Sequence, residues 1–249
     1  MARRRETAML KPETLGLLGE ASTATLTTQL FKRGFRNLFM QGVRPLGPLR
    51  RNLVGPAFTL RYIPAREDLD VIEAYADPEH PQRKAIETVP EGHVLVIDCR
   101  GDARAAAAGH ILITRLSVRG AAGLVSDGGV RDSAPIAAME FPVFCAGPSA
   151  PLGLIAHHAA EFGLGIGCGG VAVLPGDVIV GDADGVVVVP ASIADEVAAD
   201  AAAQEAMEEF IQRRIAGGAK LRGTYPPNEE TRAAYEASRK ERARDSGKD

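Results

Sequence analysis

The chain has 249 residues, 45% of them apolar, enough to bury the core of one domain. Its 29 basic and 32 acidic residues leave a formal charge of -3, which argues against direct nucleic-acid or anionic-membrane binding driven by excess positive charge. Absent Trp and an aromatic share of 5% argue against stacking platforms for single strands, and no stretch approaches the roughly 18 continuous apolar residues of a membrane span, so a soluble, cytoplasmic protein is expected.

The run Arg3-Arg4-Arg5 is followed at once by Glu6 rather than by an apolar segment, and reads as a solvated tail. From Lys11 to Gly34, Leu15, Leu18, Leu26 and Leu30 recur at helical spacing, with Pro12 suited to a first turn and Gly34 to a stop. One helix or a pair is expected there. Val54 to Tyr62 alternates and is β-rich, and the polar Asp/Pro/His segment that follows, through Gln82, reads as a loop-rich insertion.

Val94-Leu95-Val96-Ile97-Asp98 is a short apolar run expected to form a strand buried on both faces. Ala105 to Arg119 reads as a helix of about four turns, and Ala122 to Ser126 as a second buried strand. Strand, helix and strand make a βαβ unit with parallel strands. The loops Asp98 to Gly109 and Asp127 to Asp132 should then share the sheet edge where α/β proteins bind ligands.

Pro142 to Cys145 is expected as a short strand, Leu154 to Phe162 as a helix and Gly170 to Val173 as a strand. Two β-branched runs between Pro175 and Pro190, joined by Gly181-Asp182-Ala183-Asp184-Gly185, spell an antiparallel hairpin, so the sheet is mixed. Ser192 with Asp195 should open a long helix carrying Ile193, Val197, Met207, Phe210, Ile211 and Ile215 and ending at Gly217-Gly218. Past Lys220 the chain is charged and apolar-poor, and is expected to fray or lie on a neighbour. The divisions implied are 1–41 for the N-terminal tail and helices, 42–190 for an α/β core, and 191–249 for the C-terminal helix and charged tail.

Several groupings of reactive residues reduce to structure. Cys99, Cys145 and Cys168 are odd in number, widely spaced and set among apolar or glycine neighbours, so buried thiols are expected. Gly165 to Gly170 spells GxGxxG, but a nucleotide site needs a strand before it and a helix after it, and here the expected order is reversed. On a helix, His157 and His158 would diverge by about 100° and could not address one metal, while His157 and Glu161 would share a face. No GxSxG elbow exists for a Ser-His-Asp hydrolase. The segment that survives is Leu124 to Ser133, in which a buried strand enters a Gly-Gly turn that presents Arg131 and Asp132 together. A carboxylate suits Mg2+ or Mn2+, and the neighbouring guanidinium suits an anionic or enolate oxygen.

Gly109-His110-Ile111-Leu112, the intervening residues, Arg131-Asp132 and the Pro-Gly-Asp-Val hairpin together resemble the RraA-like family over roughly Gly42 to Gly217. That family includes 4-hydroxy-4-methyl-2-oxoglutarate aldolases, oxaloacetate decarboxylases and regulators of ribonuclease E, and its members are often mislabelled menaquinone methyltransferases. The resemblance implies a swivelling, phosphohistidine-like α/β sandwich assembled as a homotrimer or hexamer with sites between subunits. By the same resemblance, Asp132 holds Mg2+ or Mn2+, Arg131 binds the 2-oxo oxygen of a pyruvate-like moiety and steadies the enolate, and the backbone around Gly109, Ile111 and Leu112 takes the carboxylate at a helix N-terminus.

The family pattern usually carries an acid directly after Gly109, where it assists proton transfer; this chain has His110. Imidazole relays protons near neutral pH without fixed negative charge. Asp98 and Asp102 on the preceding loop are substitutes to consider, and Glu205 matches the glutamate that reaches a neighbour's site. The expectation is a metal-dependent lyase that cleaves a 2-oxo acid to pyruvate, the insertion from Arg66 to Gln82 walling the pocket. The alternatives are a non-catalytic regulator that binds a ribonuclease or helicase, motivated by His110, and a quinone methyltransferase, against which the missing nucleotide loop counts.

Overall fold

The structure is a computed structural model that describes residues 10–245; Arg3-Arg4-Arg5 and the last four residues lie outside them. In chain order the elements are α1 (Pro12–Glu20), α2 (Thr23–Lys32), β1 (Arg44–Pro45), β2 (Leu53–Pro64), a 3-10 turn (Ile72–Ala76), α3 (Pro81–Thr88), β3 (Val94–Asp98), β4 (Ala106–Ala108), α4 (His110–Val118) and β5 (Gly123–Ser126). There follow β6 (Gly129–Val130), α5 (Ser133–Ala137), β7 (Val143–Cys145), β8 (Gly147–Pro148), β9 (His157–Phe162), β10 (Ile166–Cys168), β11 (Val171–Val173), β12 (Val178–Asp182) and β13 (Gly185–Val189). Three helices finish the chain: α6 (Ala194–Ala216), the kinked turn α7 (Leu221–Thr224) and α8 (Glu229–Asp245).

The large sheet runs β1-β7-β5-β3-β2-β12-β13, with β9 also paired to β2. Its centre is parallel, β2 to β3, β3 to β5 and β5 to β7, and its flanks are antiparallel, as the mixed-sheet reading requires. Alternation along β3 explains how one sheet supports two cores. Leu95 and Ile97 face a layer with Ile86 and Val89 of the α3 region and Ile113 and Leu116 of α4. Val94 and Val96 face the other way, toward Phe144, Ile179 and the small β10–β11 hairpin. A third cluster sets Leu18, Leu26, Leu30 and Val197 of α1, α2 and α6 against Val178, Val180, Val187 and Val189. Ile113 and Leu116 are fully buried, and at about 1.5–3 kcal/mol each they fix α4 on the sheet.

The structure corrects the sequence reading at four places. Ala105 to Arg119 is not one helix: Ala106–Ala108 form β4 in a separate parallel sheet, β4-β6-β8, and α4 begins only at His110. Three alanines have a helical propensity, but the buried partner strand overrides it. Likewise, Leu154 to Phe162 is no helix. A 3-10 turn at Gly153–Ile155 leads into β9, whose His157 and Ala159 are buried while His158 and Ala160 are less so, the period of a strand. The long β2 offers an edge that β9 fills, with a register shift between Arg61 and Tyr62.

The third correction concerns Gly165 to Gly170: a strand does precede the glycines, and Gly169 and Gly170, at φ +57° and +75°, make the two-residue turn between β10 and β11. The site is a hairpin corner, packed so closely that a Cβ on Gly169 would lie 2.7 Å from Met40. Finally, α6 has no Ser192 capping box; its N-cap is Ile193, and Asp195 instead bonds Lys11 and Thr14 of α1. Beyond Lys220 the charged segment folds back as α8, where Tyr235 meets Phe210 edge to face at 5.6 Å and joins Ile211 in a small core of its own.

Candidate functional site

The small parallel sheet builds the site. β4 and β6 pair with Ala108 opposite Val130, and the N–H of Arg131 donates to the carbonyl of Ala108 at 3.1 Å. The two strands therefore end side by side, delivering Gly109-His110 from one and Arg131-Asp132 from the other. These are the two loops expected on one edge, and the structure joins them directly.

Gly109 is required here by space rather than by φ. A Cβ at this position would lie 2.7 Å from Cγ of Arg131 and 3.0 Å from Oδ2 of Asp132. Asp132 has φ +60°, the left-handed region rare for non-glycine residues. Its Oδ2 accepts the backbone N–H of His110 at 3.2 Å and stands 3.6 Å from Nε of Arg131. Ile111 and Leu112 follow in the first turn of α4, where amides lack acceptors within the helix and the dipole favours an anion.

A cavity of about 290 Å3 opens over this corner, walled by Gly109, Ile111, Leu112, Arg131 and Asp132. Its other walls are Leu152 and Gly153 and, from the insertion and α3, Tyr75, Gln82 and Arg83. The insertion from Arg66 to Gln82 does contribute a wall through Tyr75. Arg83 and Leu152 escaped the sequence reading; Pro81 as a helix start was the available signal that Arg83 occupies a first turn. Burial pushes the Tyr75 phenol up, Arg83 and Arg131 opposing the rise and Asp70 adding to it, so the hydroxyl is neutral.

His110 contributes its backbone to the site but is not among the cavity walls. Asp98 and Asp102 are not brought to it either. Asp98 accepts the N–H of Arg100 and Asp102 is gripped by Arg104, whose side-chain and backbone hydrogen bonds hold the Asp102 carboxyl far below the usual range. Glu205 accepts the N–H and hydroxyl of Ser22, at 2.9 and 2.8 Å, capping α2 within its own chain. Burial disfavours its charge, but the bonds from Ser22 and Thr25 outweigh that and lower its pKa.

His157 and His158, read as diverging on a helix, point to opposite sides of β9. His157 is buried, stacked on Tyr62 at 5.4 Å and bonded to the Ala105 carbonyl, whereas His158 binds Asp70 at 2.9 Å. Glu161 pairs with Arg61 across the strand bulge rather than standing over His157. All three cysteines are free and buried, as expected.

Among the described residues no group of three or more His, Cys, Asp or Glu is gathered to hold a metal. Any cation at this corner would therefore rest on the single carboxylate of Asp132, whose side chain is 43% exposed. That donor set fits Mg2+ or Mn2+, which keep several waters, and not Zn2+, which takes three or four protein ligands.

Comparison with known proteins places the chain in a family. The family model RraA-like, described as "Aldolase/RraA", matches residues 23–188. A protein of Halalkalibacterium halodurans named "Putative 4-hydroxy-4-methyl-2-oxoglutarate aldolase" is 36% identical over 173 residues, 68% of this chain and 75% of that protein. Among solved structures, Streptomyces coelicolor RraAS2, described as an unusual member of the RNase ES inhibitor RraA protein family, superposes with a TM-score of 0.74 at 32% identity, over 82% of this chain and 98% of its own. An uncharacterized Pseudomonas syringae protein gives the same TM-score at 26% identity, over 87% and 98%. No helix among the described residues is long and apolar enough to cross a membrane. The family model, which covers residues 23–188, and these similarities show that the chain belongs to the RraA-like family.

Proposed function

We propose that the chain is a divalent-metal-dependent lyase that cleaves a C–C bond of a 2-oxo acid to release pyruvate, as a 4-hydroxy-2-oxo acid aldolase, an oxaloacetate decarboxylase or both. The observation that carries this is the cavity shared by Arg131, Asp132 and the first turn of α4. Asp132 would hold Mg2+ or Mn2+, which supplies Lewis-acid charge near the 2-oxo oxygen. Arg131 faces that oxygen and stabilises the negative charge that moves onto it as the bond breaks, while the amides of Ile111 and Leu112 orient the adjacent carboxylate.

In the decarboxylation branch the electrons of the broken bond become the enolate, carbon dioxide leaves, and the former C3 takes a proton. In the aldol branch the 4-hydroxyl loses its proton as the second carbonyl compound forms. His110, between the cavity-lining Gly109 and Ile111 in sequence, is the side chain we propose as proton relay near neutral pH, which requires its ring to turn toward the cavity. A homotrimer or hexamer in the cytoplasm, with Glu205 approaching a neighbouring site, completes this reading; such an approach requires Glu205 to leave Ser22.

The test is pyruvate release from oxaloacetate and from 4-hydroxy-4-methyl-2-oxoglutarate, followed by lactate dehydrogenase coupling with Mg2+. Activity lost with EDTA and lowered about 100- to 1,000-fold by Arg131→Ala supports the proposal. No pyruvate from either acid sinks it. The second reading is a non-catalytic regulator of a ribonuclease or helicase, favoured by His110 in the usual acid's place and by the likeness to RraAS2. It predicts a complex with such a partner that survives Asp132→Ala.

A further inference from the structure

We infer that Arg83, braced on Tyr75, determines specificity by receiving the second carboxylate of a dicarboxylic 2-oxo acid. The inference rests on the lyase reading above and adds the far half of its substrate. Arg83 lies in the first turn of α3 with its guanidinium carbon 4.4 Å from the centroid of the Tyr75 ring. Both side chains are half-buried and line the same cavity as Arg131 and Asp132. The Tyr75 hydroxyl reaches the cavity floor, 3.4 Å from where a Cβ on Gly153 would be.

The partners of Arg83 are incomplete. Arg66, Arg104 and Arg115 each hold a carboxylate, but among the described residues Arg83 has neither a carboxylate within ion-pair distance nor a hydrogen-bond acceptor. A half-buried guanidinium ordinarily finds acceptors. Stacking uses only its flat face, which leaves the N–H edges free for a planar, two-pronged anion such as a carboxylate.

The two guanidinium groups also stand in a useful relation. Arg83 and Arg131 both line this cavity, so two cationic poles border one small space. The volume of about 290 Å3 lies just below the usual ligand-cavity range of roughly 300–1,000 Å3, suited to a small metabolite rather than a polymer. With Arg131 and Asp132 engaged at the 2-oxo end, a monocarboxylate leaves Arg83 without an anionic partner. A dicarboxylate matches both poles.

The test uses pyruvate and 2-oxoglutarate as probes that are not cleaved, titrated calorimetrically in Mg2+ into wild type, Arg83→Gln, Arg83→Lys and Tyr75→Phe. The wild type should bind 2-oxoglutarate at least about tenfold more tightly than pyruvate. Arg83→Gln should abolish that preference while changing pyruvate affinity by less than about twofold; Arg83→Lys should keep part of it, since the charge but not the fork remains. Tyr75→Phe, which retains the ring, should keep all of it. With oxaloacetate, Arg83→Gln should raise KM about 10- to 100-fold with a far smaller change in kcat, a split that a merely structural residue would not produce. Unchanged preference in Arg83→Gln overturns the inference, as does a wild type that binds both probes equally; either leaves the lyase reading standing. A wild type that binds neither probe and forms no pyruvate overturns both.

Discussion

The backbone N–H of His110 donates to Oδ2 of Asp132 across 22 positions of sequence, at 3.2 Å, and Gly109 is the residue that lets them meet. Since a Cβ on Gly109 would press on Arg131 and Asp132 together, Gly109→Ala must displace the pair. Pyruvate formation should fall at least about 100-fold, while circular dichroism shows the fold retained. Full activity in Gly109→Ala would mean that the corner tolerates displacement and is not the reacting geometry.

Asp132 itself separates stability from chemistry. Its left-handed backbone costs roughly 1–2 kcal/mol, which Asp132→Gly relieves, against loss of the His110 hydrogen bond at about 1 kcal/mol. Denaturant midpoints should therefore change by no more than the equivalent of about 1 kcal/mol, and pyruvate release should vanish. A large loss of stability would show that the side chain is a structural cap first.

Glu205 is predicted to behave as the cap of α2. Glu205→Ala removes both bonds to Ser22 and should cost about 1–2 kcal/mol in urea unfolding. Because its pKa is lowered in the folded state, its contribution is full above the ordinary glutamate value, begins to fall there, and is lost as pH drops on through the lower folded-state value. The wild-type advantage over Glu205→Ala should accordingly shrink on acidification. An unchanged difference between pH 7 and pH 4 would contradict this.

His157 has the opposite chemistry. Burial lowers its pKa more than the Ala105 carbonyl restores it, so the folded protein holds it neutral and the unfolded chain binds its proton first. Stability is therefore lost as pH drops below the ordinary histidine value of about 6.5. His157→Phe, which keeps a ring against Tyr62, should flatten the fall in Tm between pH 7.5 and 5.5. The same steepness in both proteins would assign that acid sensitivity to other groups.

Burial pushes the Cys145 thiol up to about 11, and raises Cys99 and Cys168 further. With few thiolates and no access, a disulfide reagent at pH 8 should label no cysteine in the native protein. All three should react in guanidinium chloride. Rapid labelling of the folded protein would show that these cores open.

What the sequence determined by itself were the elements whose signal is local. Val94–Asp98 and Gly123–Ser126 are apolar enough to be strands in any context, the 178–189 hairpin is dictated by its turn and β-branched runs, and the Arg131-Asp132 pair stood out because a strand and a Gly-Gly turn precede it. Tertiary structure decided the rest, for a common reason: partners distant in sequence outweighed local preference. Ala106–Ala108 became a strand because β6 lay beside it, and His157–Phe162 because β2 had an open edge. Arg83 entered the cavity because α3 packs against the same core layer as α4. Propensity acts over a few residues at tenths of a kcal/mol each, whereas a buried strand pairing is set by atoms far away along the chain, which no local window contains.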